Sequence, residues 1–200
     1  MNDQLHQGTR KDLSRRQLKL RTTSEGETEL KTKLIEIKAR KDDLDAARDR
    51  VNAMGVRMQG TYRQIDTYFN VSSGRLKLRE VDGEDASKLV YYDREDVQDP
   101  KQSDVNILET RQTGTLKSIL ESSLGVMVTV EKTREIYHHE GTQIHLDIVD
   151  GLGRFVEFER PITDIEADRE VLRSLMRALE IEQNDLLTRS YSDLKLEQRT

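Results

Sequence analysis

The sequence predicts an α+β protein in which an antiparallel β-barrel carries helices packed on its outside. Charged and apolar residues alternate strictly in segments such as Lys33 to Arg40, and this period of two is typical of β-strands. Three other segments repeat apolar residues at helical spacing. The order strand, helix, strands occurs twice, from Leu34 and from Thr113, which suits a barrel assembled from two similar halves.

The predicted elements follow one another along the chain with short turns between them. Residues 1–32 are polar and basic, and we expect a flexible N-terminal extension there. We predict strands at 33–40, 56–69, 75–80, 88–94 and 104–112, and three more between 126 and 159. We predict helices from about 43 to 54, capped by Asp42 or Asp43, from 113 to 124, capped by Thr113 or Thr115, and from 165 to 179. The segment 190–196 is expected to pack against the sheet or its mouth.

The charged faces of these strands hold the candidates for function. In the first strand Glu36, Lys38 and Arg40 share one face, while Ile35 and Ile37 lie on the other. Seven bases and four acids occupy such faces: Lys38, Arg40, Arg75, Lys77, Arg79, Lys132 and Arg134, and Glu36, Asp147, Glu157 and Glu159. Bases offer charge-assisted hydrogen bonds to phosphate oxygens, and carboxylates bind Mg²⁺ or Mn²⁺. If the strands close into a barrel, they therefore form a polyphosphate site.

Composition limits the classes of protein that fit. The chain has 200 residues, 36% of them charged, and a net charge of -5, so general nucleic-acid binding is not expected. It has no cysteine, which excludes disulfides and thiolate metal sites. No apolar run approaches the ~18 residues of a membrane helix, so no membrane partner is expected. We predict a cytoplasmic protein.

Five segments together resemble the CYTH domain, closest to its class IV adenylyl cyclase branch. They are Glu36 to Arg40, Gln64 to Phe69, Arg75 to Glu80, His145 to Glu159 with its Leu152-Gly153, and Ser190 to Leu194. The resemblance implies a triphosphate tunnel over residues 33–197, which is an eight-stranded antiparallel barrel with a charged lumen. Its members use Mg²⁺ or Mn²⁺ and act on triphosphates, as cyclases, as thiamine or inorganic triphosphatases, or as relatives of RNA triphosphatases.

The resemblance also implies residue roles. Metal ligands would be Glu36, Glu157 and Glu159, with Asp147 as a further candidate. The phosphates would lie on Lys38, Arg40, Lys77, Arg79, Lys132 and Arg134, with Arg75 and Tyr191 as further substrate contacts. Among these, Glu36, Lys38, Arg79, Lys132 and Arg134 are the candidates for catalysis. We interpret His145 as a hydrogen-bonded structural residue, since no partner spacing specifies another role.

One position departs from the family signature. The signature Glu-x-Glu-x-Lys reads Leu34-Ile35-Glu36-Ile37-Lys38 here, so its first acid is a leucine. Three functions therefore stay open: an ATP cyclase that releases cyclic AMP and pyrophosphate, a triphosphatase, and a tunnel that binds nucleotide or polyphosphate without turnover. The expected partner is ATP, tripolyphosphate or thiamine triphosphate, and a homodimer is left open.

Overall fold

The computed structural model describes residues 19–22, 28–94, 97 and 99–199. Within them the strands are β1 (Lys19–Thr22), β2 (Thr28–Arg40), β3 (Arg57–Phe69), β4 (Arg75–Val81), β5 (Ser87–Arg94), β6 (Lys101–Thr110), β7 (Val126–His139), β8 (Thr142–Val149) and β9 (Gly153–Pro161). The helices are α1 (Leu44–Ala53), α2 (Thr113–Leu124), α3 (Ile165–Ala178) and α4 (Tyr191–Glu197). None of these helices is long and apolar enough to cross a bilayer.

Strands β2 to β9 close into an antiparallel barrel. The strand order is β2-β6-β5-β4-β3-β7-β8-β9, and β9 pairs back with β2. Closure depends on the length of β2, because its first part pairs with β6 and its last part with β9. Strand β1 adds to the β2 edge outside the barrel, with Lys19 opposite Lys31. The predicted eight-stranded antiparallel barrel and α+β class are confirmed.

Two apolar clusters lie on the two sides of the barrel wall. The outer one joins the wall of β2, β8 and β9 to helices α1 and α3, with Ile35, Ile37 and Leu172 fully or almost fully buried. The inner one fills part of the lumen with valines and aromatic rings, including Tyr68 and Phe155. Because side chains alternate along a strand, Ile35 and Ile37 face the helices, and Glu36 and Lys38 face the lumen.

The N-terminal cap follows the predicted signal in α1 but not in α2. Asp43 caps α1, its carboxylate accepting from the Ala46 N–H at 2.9 Å. In α2 the cap is Gln112, without a side-chain hydrogen bond, so the threonine cap predicted there is wrong. Gly125 ends this helix with φ of 72°, a value that glycine adopts without the steric cost other residues have.

The structure extends the first strand and defines the C-terminal segment. Strand β2 begins at Thr28 rather than near residue 33, and 19–22 form β1. The rest of the predicted extension, 1–18 and 23–27, lies outside the described residues. The C-terminal segment forms α4, where the Ser190 hydroxyl accepts from the Asp193 N–H at 3.2 Å. Tyr191 and Ser192 are buried against the barrel, as expected for this segment.

Candidate functional site in the barrel lumen

One buried carboxylate holds three cations in the lumen. Asp66 on β3, 1% exposed, accepts from Lys77 Nζ at 3.1 Å, Arg79 Nε and Nη2 at 2.7 Å, and Lys132 Nζ at 2.9 Å. The register of β3 with β4 and β7 brings these side chains together. We call this set the Asp66 cluster. It carries two more positive charges than negative ones.

Burial and neighbouring charges shift the pKa values of Lys132 and Asp66 in the Asp66 cluster. Burial together with the nearby cations Arg79, Arg134 and Lys77 outweighs the attraction of Asp66 and lowers the pKa of Lys132 to about 7. Burial acts to raise the pKa of Asp66, but Arg79, Lys132 and Lys77 outweigh it and hold this pKa well below its usual value. Burial and then the neighbouring cations favour the neutral form of Lys132, and an anion bound beside it would favour the charged form again.

A second cluster centres on Arg134 of β7. Its guanidinium donates to both oxygens of Asp147, at 2.7 and 2.6 Å, and its Nη2 also donates to Glu157 at 2.5 Å. Glu157 also accepts a hydrogen bond from Lys38 of β2. Burial acts to raise the pKa of Asp147, but the Arg134 guanidinium outweighs it and lowers this pKa to about 2. Asp147 is therefore an anion that orients Arg134.

The C-terminal segment packs on this second cluster. The Tyr191 hydroxyl donates to Asp147 at 2.8 Å, and Lys38 Nζ lies 3.9 Å from the centre of the Tyr191 ring. Arg75 at the barrel rim forms a 2.8 Å ion pair with Asp193 of α4. Lys101 Nζ donates to the carbonyl oxygens of residues 187 and 188, at 3.0 and 2.9 Å. Segment 187–193 is thus held to the lumen by groups that can also bind anions.

A third group offers metal ligands. His145, Glu157 and Glu159 place one ligand atom each within 4.8 Å of one another. Their strands β8 and β9 are adjacent, with His145 opposite Glu157. Burial lowers the pKa of His145, so its imidazole is neutral at pH 7 and has a free lone pair. Such a set of nitrogen and oxygen donors fits a divalent cation.

Other predicted ligands and contacts occupy different surroundings. Glu36 accepts a hydrogen bond from Arg94 of β5, and Asp147 is occupied by Arg134, so their role as metal ligands stays a prediction. Arg40 is exposed, donates to the Leu152 carbonyl at 3.0 Å and lies 5.0 Å from the Phe155 ring centre. Leu34 packs against the inner apolar cluster. The remaining predicted bases, Lys77, Arg79, Lys132 and Arg134, meet in the lumen.

A family model described as the CYTH domain matches residues 25–191. The chain belongs to the CYTH family. The match spans the barrel and reaches Tyr191 of α4, and it includes both charged clusters. Members of this family act on triphosphates, and its tunnel enzymes generally depend on a divalent metal, which agrees with a lumen that contains a cation-rich cluster next to a possible metal group.

Individual relatives agree with this family. A Methanocaldococcus jannaschii protein named "Putative adenylate cyclase" is 27% identical over 174 residues, which are 80% of this chain and 97% of that protein. A solved structure from Pyrococcus horikoshii has a TM-score of 0.74 at 21% identity, covering 80% of this chain and 98% of the other. A Hippeastrum structure, described as a putative adenylyl cyclase with a dominant triphosphatase activity, has a TM-score of 0.56 at 15% identity, covering 84% and 95%.

Sequence reasoning missed four lumen residues of this CYTH domain. Asp66 shares a strand face with Gln64 and Tyr68, so its orientation was predictable from the sequence. Its three cationic partners were not predictable. Arg94 is the last residue of β5, as predicted. Lys101 is the first residue of β6, although a loop was predicted at this position. His145 was interpreted as structural, yet its Nδ1 has no hydrogen-bond partner among the described residues.

Proposed function

We propose that the chain is a metal-dependent enzyme that acts on a triphosphate held in the barrel lumen, with conversion of ATP to cyclic AMP and pyrophosphate as the first candidate reaction. The observation that carries this proposal is the Asp66 cluster. One carboxylate is shared by the buried Lys132 and the partly buried Lys77 and Arg79, so the site has positive charge that a polyphosphate chain can neutralise. The name of the Methanocaldococcus jannaschii relative supports the cyclase as first candidate.

The bases would hold the phosphates by exchanging partners. Arg79 and Lys132 now bind Asp66, and Arg134 and Lys38 bind Glu157. A triphosphate offers each of them phosphate oxygens, to which arginine can donate two parallel hydrogen bonds. Substrate binding therefore breaks these ion pairs, and the charge-assisted hydrogen bonds to phosphate replace them.

The metal would lie at His145, Glu157 and Glu159, the group whose donor atoms are closest together in the described residues. The buried His145 Nδ1 without a partner, together with two carboxylates, fits a divalent cation. When bound, such a cation supplies Lewis acidity beside the phosphates. Binding Glu157 to a cation would also release Lys38 and Arg134 for the substrate.

In the cyclase reaction the ribose 3′-oxygen bonds to the α-phosphorus and the bond to pyrophosphate breaks. Arg79, Lys132 and Arg134 would stabilise the negative charge that develops on the phosphates and the leaving group. The hydroxyl proton needs an acceptor. We consider Glu36 and Asp147 for this step. Asp147 is bound by Arg134 and Tyr191, and Glu36 by Arg94.

Triphosphate hydrolysis is the second candidate. The two charged clusters recognise phosphate, which ATP, tripolyphosphate and thiamine triphosphate share. The activity described for the Hippeastrum structure supports this alternative. The same bases would hold the substrate, and water would replace the ribose hydroxyl as nucleophile. The two reactions differ in their products and are separated by a product assay.

The test is a product assay on purified protein. ATP, tripolyphosphate and thiamine triphosphate are supplied separately with Mg²⁺ or Mn²⁺, and cyclic AMP, pyrophosphate and orthophosphate are measured. Glu159→Gln removes a metal ligand and should lower the rate at least tenfold. Glu131→Gln, which changes a surface carboxylate paired with Arg63 on the same barrel, is the matched control and should keep full rate.

Each outcome assigns one function. Cyclic AMP that is lost in Glu159→Gln supports the cyclase, and orthophosphate with the same dependence supports the hydrolase. Tight ATP binding without any product under either metal would contradict both and leave a binding tunnel. Equal rates in Glu159→Gln and Glu131→Gln would show that the turnover comes from a contaminant.

A further inference from the structure

His145 lies in the lumen with one nitrogen satisfied and the other not. Its Nε2 is 3.0 Å from Gln143 Oε1. With Nε2 protonated and donating to this oxygen, Nδ1 carries the lone pair. The residue is only 1% exposed. Its Nδ1 is buried and has no hydrogen-bond partner in the described part of the chain. A buried polar atom without a hydrogen-bond partner lowers the stability of the fold. A ligand bound to Nδ1 would remove this cost.

The neighbours of Nδ1 stand at the separations expected of atoms that bind one metal ion. Nδ1 is 3.5 Å from Glu157 Oε2 and 3.9 Å from Glu159 Oε1. Two ligands at about 2.1 Å from the same ion lie roughly 3 to 4 Å apart when they subtend about 90° to 140°. Both distances fall in this range. The hydrogen bond from Nε2 to Gln143 resembles the outer contact that fixes most metal-binding histidines.

We propose that His145 Nδ1 binds the lumen metal together with Glu157 and Glu159, and that this ligand set favours a first-row transition ion such as Mn²⁺ over Mg²⁺. Imidazole nitrogen binds transition ions well, whereas Mg²⁺ keeps oxygen ligands and water. This inference adds to the proposed function the class of metal ion that binds in the lumen. It rests on the proposed function in one respect, which is that the reaction uses this metal.

The same geometry couples metal to triphosphate. Glu157 is bound by Lys38 and by Arg134 at 2.5 Å, so a metal ion at Glu157 competes with two cations. A triphosphate that draws Lys38 and Arg134 to its own oxygens removes this competition. By linkage, each ligand should then strengthen the binding of the other.

The experiment measures Mn²⁺ binding to the metal-free full-length protein by electron paramagnetic resonance, without substrate turnover. His145→Gln should weaken Mn²⁺ binding about tenfold or more, and should weaken Mg²⁺ binding, measured by competition, much less. Pulsed spectra of the wild type should show a directly bound nitrogen. That signal should change when histidine is labelled with ¹⁵N and disappear in His145→Gln.

The matched control is His138→Gln. His138 is exposed on β7 and its Nε2 contacts Gln59, so this variant should keep both the affinity and the nitrogen signal. A wild-type spectrum without bound nitrogen overturns the inference, and so does a wild type that binds no Mn²⁺, whether or not His145→Gln folds. A nitrogen signal without any product supports His145 as a metal ligand and contradicts the proposed enzymatic function. Product formation without the nitrogen signal supports the enzymatic function and contradicts His145 as a metal ligand.

Discussion

Replacing Asp66 by asparagine should destabilise the protein and strengthen its binding of polyphosphate. The carboxylate pairs with the buried Lys132 and with the partly buried Lys77 and Arg79. Breaking a buried ion pair by removing one partner costs about 3 to 5 kcal/mol. For a domain of this size 1 kcal/mol shifts the melting temperature by about 2 to 4 °C, so the melting temperature should fall by roughly 10 °C.

The gain in binding follows from the same charge. A carboxylate behind the cations repels a phosphate about 8 Å away by about 2 kcal/mol at an effective dielectric constant of about 20. Its removal should tighten tripolyphosphate binding roughly 30-fold. Tripolyphosphate should therefore raise the melting temperature of Asp66→Asn by more than it raises that of the wild type.

The assay is thermal unfolding with and without tripolyphosphate, at pH 6.5, together with calorimetric titration. Asp168→Asn is the control, because Asp168 is also buried and accepts from Arg160 Nε at 2.6 Å, but it belongs to α3 on the outer side of the barrel. It should lose stability and gain no extra stabilisation from the ligand. If both variants respond to tripolyphosphate as the wild type does, the lumen cluster is not the phosphate site.

Three further outcomes are expected. ATP binding should weaken by up to tenfold per pH unit above about pH 7, because Lys132 has a pKa of about 7 in the free protein and must take up a proton to bind phosphate. Titrations from pH 7 to 9 measure this dependence, which Lys132→Arg should flatten. The same slope in both proteins would contradict this explanation. Tyr191→Phe should cost about 2 kcal/mol in urea unfolding, since it removes a donor to the charged Asp147; no loss would show that this bond is replaced. Leu34→Glu should lower stability by about 2 kcal/mol, because it places a charge against the inner apolar cluster, and should strengthen Mg²⁺ binding in a competition assay.

The stability effect of Lys132 has a definite sign. Its pKa is lowered from 10.5 to about 7 on folding, so between these values the unfolded chain binds more protons than the folded one. The contribution of Lys132 to stability therefore increases as pH rises from about 7 to 10, and its full cost is present below pH 7.

The sequence by itself determined which charged residues share a strand face, and the resemblance to the CYTH domain implied the closed barrel. Alternation along a strand assigns each side chain to a face without reference to any other strand, so Glu36, Lys38, Arg79 and Arg134 were predicted on one face from their own segments. Helix α1 was predicted for a similar reason, because the Asp43 cap and the apolar spacing are local.

Only the tertiary structure decided which charges meet. Lys132 and Asp66 are 66 residues apart in sequence, and their contact depends on the register of β3 with β7, which no single strand encodes. The register of β8 with β9 places His145 opposite Glu157, and the register of β7 with β8 places Asp147 opposite Arg134. The face of a side chain is a local property, whereas its partners depend on strand pairing across the closed barrel. The charged lining was therefore predictable from sequence, and its grouping into ion-paired clusters was not.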